Sequence, residues 1–122
     1  MGQEKVCLDT DVVIEITRNN KIAIDFLKEL EGVPVLTSIS IFELLRVQKT
    51  EAAEKFIQKC EVIDFDESAA RHAAKIELKL RQKGKMTPLR DLMIASIALS
   101  NNMQLATFNK KDFEQIEGLK LI

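Results

Sequence analysis

Short apolar runs alternate along this chain with longer stretches in which apolar residues recur at helical spacing. KVCL at 5–8 reads as a strand, ends at Asp9-Thr10-Asp11 and is followed by VVIEIT. In NKIAIDFLKEL, 20–30, Ile22, Phe26, Leu27 and Leu30 fall at helix spacing, and Glu31-Gly32 stops the helix. VPVLT at 33–37 is a second strand. Ser38 is the expected N-cap of ISIFELLRV, although β-branched Ile39 and Ile41 lower its helix propensity. TEAAEKFIQK at 50–59 reads as helix and CEVIDF at 60–65 as a third strand. Asp66 is placed to cap a long helix over 67–83, with Ala69, Ala73, Ile76 and Leu80 on one face and Gly84 at its end. Pro88 opens a helix over 89–102, MQLATF at 103–108 is a fourth strand, KKDFEQI is a short helix or turn, and LKLI is a last strand. Strands alternating with helices predict an α/β fold, with a central parallel sheet of four to five strands covered by helices on both faces.

Composition narrows the class. The 122 residues contain no linker, repeat or low-complexity stretch, so a single domain over 1–122 is expected. A chain that is 46% hydrophobic and 30% charged reads as an ordinary globular protein. No apolar run is long enough to cross a bilayer, and MGQEKVCLDTD lacks the apolar region of a signal peptide. After Met1-Gly2, Val6 stands where a myristoylation motif wants Ser or Thr. A cytoplasmic protein with no membrane association is the expectation. Cys7 and Cys60 then read as reduced, buried thiols, and neither has a second Cys or His at ligand spacing. His72 lies mid-helix with no metal-pairing neighbour and reads as a surface residue. The net charge of −1 does not favour nucleic-acid binding, but 18 basic residues can still gather on one face.

In parallel sheets, ligands bind at the carboxyl ends of the strands. Asp9 and Asp11 follow the first strand, Glu43 lies a little over one turn into the helix after the second, and Asn109 and Asp112 follow the fourth. Asp91 opens the helix before the fourth strand. It shares that edge only if the loop over 84–88 returns the chain there, because right-handed crossovers run their helices back from it. Each acid also has an ordinary structural use. Asp9, Asp11 or Asp112 can cap a helix, Glu43 can lie on a solvated face, and Asp91 can oppose a helix dipole. Asp64 and Asp66 read as turn and cap. Gathered in one crevice, three or four carboxylates either take up protons or are held by a cation. All-oxygen ligation suits Mg²⁺ or Mn²⁺ and argues against zinc, and such an ion clamps phosphate and activates water. Lys83, Lys85, Arg90, Lys110 and Lys111 flank the edge and are the candidate phosphate contacts.

Three blocks carry a resemblance. CLDTDVVIEI is similar to the opening of PIN-domain ribonucleases, and TSISIFELL to their second block. RDLMIASIALSNNMQLATFNKKDF resembles their third, an Asp and small-residue helix followed by a strand ending in Thr, then Asn and Asp-Phe. Order, spacing and length resemble VapC-type toxins of toxin–antitoxin pairs over nearly the whole chain. The resemblance implies a PIN-like three-layer fold and an endoribonuclease using Mg²⁺ or Mn²⁺ that leaves a 5′-phosphate and a 3′-hydroxyl. It places the metal ligands on Asp9, Glu43 and Asp91, and the fourth polar position on Asn109 or, alternatively, Asp112. Thr10, Asp11, Ser38 and Thr107 fall at supporting positions. Implied partners are an RNA substrate such as tRNA or another structured RNA, a cognate antitoxin and a second copy in a homodimer. Val47 departs from the glycine many members carry after the Glu-Leu block, and neutral Asn109 leaves the number of metals open.

Two other readings compete. A receiver-type signalling domain would use Asp9 and Asp11 as an acid pair, Asp64 or Asp66 as phosphoacceptor and Lys110 as its lysine, but leaves Glu43 and Asp91 unexplained. An inactive RNA-binding module of the same fold is opposed by the retained Asp9, Glu43 and Asp91.

Overall fold

A computed structural model describes residues 4–122, so the Met1-Gly2 start read against a myristoylation motif lies outside the described residues. Four parallel strands are β1 (Lys5–Leu8), β2 (Val33–Thr37), β3 (Glu61–Ile63) and β4 (Gln104–Ala106). Helices α1 (Thr10–Thr17) and α2 (Lys21–Glu29) join β1 to β2, and α3 (Ser38–Val47) and α4 (Glu51–Lys59) join β2 to β3. Helices α5 (Glu67–Gln82) and α6 (Leu89–Ser100) lead to β4, and a 3₁₀ turn, Lys110–Asp112, follows.

The strand order is β3-β2-β1-β4. A receiver domain has the order 2-1-3-4-5, with its third strand inside the sheet. Here β3 is an edge strand, which removes the receiver reading, and Asp66 is the N-cap of α5, accepting from Ala69 N.

Side chains alternate along each strand and so feed two cores. Cys7, Val35 and Leu105 pack with Ile94, Ile97 and Ala98 of α6, Ala69 of α5 and Phe113. On the other face, Val6, Leu8, Leu36 and Ala106 pack with Val12, Val13, Leu44 and Ala53. The expected three layers are therefore present. Helix α6 is buried on most sides and β4 is largely buried, which together account for the uncharged stretches 92–100 and 103–107.

Several boundaries differ from expectation. Thr37, not Ser38, caps α3, accepting from Ser40 N at 3.0 Å. Ser38 instead accepts from Phe65 N and ties the β3–α5 loop to the start of α3. Strands β3 and β4 are shorter than CEVIDF and MQLATF, since each pairs with only three residues of its neighbour. LKLI contributes a single bridge, Leu121 to Leu105, so the sheet has four strands. Ile22 is 76% exposed, because Ala23 takes the buried position in register with Phe26, Leu27 and Leu30. Cys7 is buried as expected, whereas Cys60 is only partly so. Among the described residues, no helix is long and apolar enough to cross a membrane.

Candidate active site

From β1 the chain lays β2 and β3 to one side and returns to place β4 on the other. The connections leaving β1 and β4 therefore diverge, which opens a crevice at the carboxyl ends of these two strands. Asp9 stands in that crevice. Its N–H donates to Ala106 O at 2.9 Å, extending the β1–β4 pairing by one residue. Oδ1 accepts from Thr10 N at 2.8 Å as the cap of α1, and Oδ2 accepts from Thr107 Oγ1 at 2.7 Å. The Thr107 hydroxyl also accepts from Asn109 N, which sets the turn after β4. The capping residue and the acid in the crevice are thus one and the same. Burial first, and the Asp11 charge second, push the Asp9 carboxyl up to about 8.

Glu43 is fixed by a line of hydroxyls. Thr10 Oγ1 donates to Glu43 Oε1 at 2.6 Å and lies 2.9 Å from Ser40 Oγ, while Thr37 Oγ1 donates to Ser40 Oγ at 3.3 Å. Each hydroxyl has one proton, so the Thr10 proton on Glu43 leaves Ser40 as donor to Thr10. Three donors in series, from Thr37 through Ser40 and Thr10, end on one carboxylate oxygen. Ser40 and Thr37 are 1% and 0% exposed, so the line is shielded from competing water. The other oxygen, Oε2, lies 3.7 Å from the Arg90 guanidinium.

Asp91 is the third residue of α6 and does not cap it; Pro88 holds the cap position without a side-chain bond. Helix α6 ends three residues before β4 begins and β4 is parallel to β1, so α6 starts at the carboxyl edge. This meets the condition set on the 84–88 loop. Burial, then Asp112, Glu43 and Asp11 in that order, push the Asp91 carboxyl up to about 6. Acids from α1, α3, α6 and the turn after β4 therefore act on one another. The Asn109 side-chain amide donates to Asp112, so these two form one unit. Among the described residues, no three acids stand close enough together to make a preformed ligand cluster.

Residues 6–119 match the PIN domain family. Ribonuclease VapC3 of Methanocaldococcus jannaschii is 36% identical over 91 residues, spanning 74% of this chain and 94% of its own. The chain belongs to the PIN-domain family, within its VapC group. A tRNA(fMet)-specific endonuclease VapC of Shigella flexneri is 28% identical over 125 residues, 95% of each chain. The solved VapBC2 of Rickettsia felis, bound to a DNA fragment from its promoter, superposes with a TM-score of 0.86 at 26% identity and 97% coverage of both chains.

PIN-domain nucleases generally use divalent metals. In chemistry the acids at this edge suit such an ion: they offer only oxygen, and the proton affinities of Asp9 and Asp91 are raised by burial and by neighbouring acids. Of the basic residues expected at the rim, Arg90 reaches Glu43, and Lys110 and Lys111 lie exposed in the turn after β4. Lys83 is paired with Glu117, and Lys85 is exposed in the loop after α5. The sequence reading missed Ser40 and Thr37. Its available signal was the Thr-x-x-Ser spacing across a strand end, which marks a helix cap.

The hydroxyl line predicts a kinetic effect. Thr10→Val removes the donor to Glu43 while keeping shape, and is expected to lower kcat by about ten- to a hundredfold, the scale of losing a group that orients a candidate ligand. Steady-state cleavage rates alongside a thermal melt check this. An unchanged kcat would show that Glu43 needs no such anchor.

Proposed function

We propose that this chain is a Mg²⁺- or Mn²⁺-dependent endoribonuclease and the toxin of a VapBC-type toxin–antitoxin pair. The observation that carries the reading is the meeting of acids from four separate segments at the strand-order switch point of a PIN fold. Asp9, Glu43 and Asp91 would hold the metal, with Asp112, positioned by Asn109, completing the wall. The bound ion supplies a Lewis acid for the phosphodiester and lowers the pKa of a water for in-line attack. Thr107 and Thr10 hold the first two ligands in single orientations, and Asp11 adds negative charge beside Asp9. Arg90, Lys110 and Lys111 supply the local basic rim that a chain of net charge −1 needs to meet RNA.

The products are a 5′-phosphate and a 3′-hydroxyl. The Shigella relative's name supports tRNA as a substrate, and the VapBC structures support an antitoxin partner. The same reading makes the protein cytoplasmic and homodimeric.

Purified protein incubated with total RNA is expected to cleave it with Mg²⁺ or Mn²⁺ and to stop when EDTA is in excess. Cleavage that continues unchanged in EDTA would overturn the metal-dependent mechanism.

A further inference from the structure

Phe42 immediately precedes Glu43 on α3 and is 51% exposed. It belongs to neither core. Two guanidinium groups gather on its ring. Arg46, one turn further along α3, lies 5.6 Å from the ring centroid, and Arg90, from the first turn of α6, lies 5.2 Å from it. Arg90 also lies 3.7 Å from Glu43 Oε2, so the cluster is continuous with the acid site. By contrast, the exposed Phe108 is engaged edge-on by Phe26, with ring centroids 5.1 Å apart.

An exposed aromatic ring bearing two arginines, at the rim of an acid site, combines two kinds of recognition. The ring and the guanidinium planes offer flat surfaces to a nucleobase, and the guanidinium forks offer paired donors to a phosphate. Unpaired RNA presents bases and phosphates in alternation. Building on the endoribonuclease reading above, we infer that Phe42, Arg46 and Arg90 form a nucleobase-stacking subsite for an unpaired nucleotide beside the bond to be cut. A base stacked on Phe42 displaces a guanidinium from the ring, and the freed fork meets the adjacent phosphate. Stacking tolerates any base, so the subsite selects for an unpaired nucleotide and not for a sequence. Duplex RNA, whose bases are already stacked, gains nothing from it.

The test uses single-stranded oligouridylate carrying one 2-aminopurine, with binding read in the cleavage-silent Asp91→Asn protein in Mn²⁺. Stacking on the ring is expected to change the probe's fluorescence on binding. Phe42→Ala, in the same background, is expected to abolish that change and weaken binding by about tenfold, with Phe42→Trp restoring both. In the otherwise native chain, Phe42→Ala is expected to raise KM for single-stranded RNA by a similar factor and to leave kcat within about threefold. Unchanged binding and KM in Phe42→Ala, in a parent that cleaves RNA, would overturn the subsite and leave the ribonuclease reading standing. A parent that neither binds the probe nor cleaves RNA would overturn both. If Phe42→Ala binds RNA normally but no longer binds a VapB-type antitoxin that the parent binds, the surface serves a protein partner and the inference fails.

Discussion

Asp91→Asn is expected to lower kcat/KM for RNA cleavage by about a thousandfold or more, the scale of several kcal/mol that a metal-centred site supplies. Asn keeps the volume and polarity at the third position of α6, and Pro88, not Asp91, holds the cap, so the helix should survive. What is lost is a charge that Asp112, Glu43 and Asp11 already oppose. That opposition has a pH consequence. The Asp91 carboxyl is pushed up to about 6 and that of Asp9 to about 8. Protons and a cation compete for these oxygens, so cleavage at limiting Mn²⁺ should rise with pH through this interval. Rates on total RNA, with circular dichroism of the variant, check the substitution. Cleavage surviving in a folded Asp91→Asn protein would remove Asp91 from the site.

Asp9→Asn should abolish cleavage and, at alkaline pH without metal, make the protein more stable. An aspartate in an unfolded chain titrates near about 3.9. In the fold, burial and Asp11 raise Asp9 to about 8. Between these values the folded state binds a proton that the unfolded chain lacks, so stability falls as pH rises from about 4 to about 8. An amide at position 9 escapes this loss and still caps α1 through its oxygen. One cost offsets the gain: the Thr107 hydroxyl, which now donates to Asp9 Oδ2, must find another acceptor. Urea denaturation in EDTA at about pH 5 and about pH 8 measures the difference. A variant less stable than the parent at the higher pH would sink the account. Mn²⁺ should stabilise the parent far more than the variant.

The strands were readable where apolar runs met clear stops. KVCL before Asp9-Thr10-Asp11 and VPVLT before Ser38 became β1 and β2. The acids were readable as positions, because strand ends in parallel sheets are where ligands bind, and because the blocks around Asp9, Glu43 and Asp91 resembled those of PIN domains. What holds those acids was not readable. Thr10 and Ser40 are 30 residues apart, and no local spacing reveals that their hydroxyls touch. Ser38 and Ser40 look interchangeable in TSIS, yet a helix start sends one toward Phe65 N and the other toward Thr10. The lengths of β3 and β4 depended on how much partner strand was available, which one strand's own residues do not encode.

The bond from Thr107 to Asp9 joins residues 98 apart, the first strand to the last. Strand β4 is in turn braced by the chain's final residues, through Leu105 N to Lys120 O and Ile122 N to Leu105 O. A ribosome delivers Asp9 98 residues before Thr107. Throughout that interval Asp9 lacks the neighbour that orients it, and the wall bearing Asn109 and Asp112 does not yet exist.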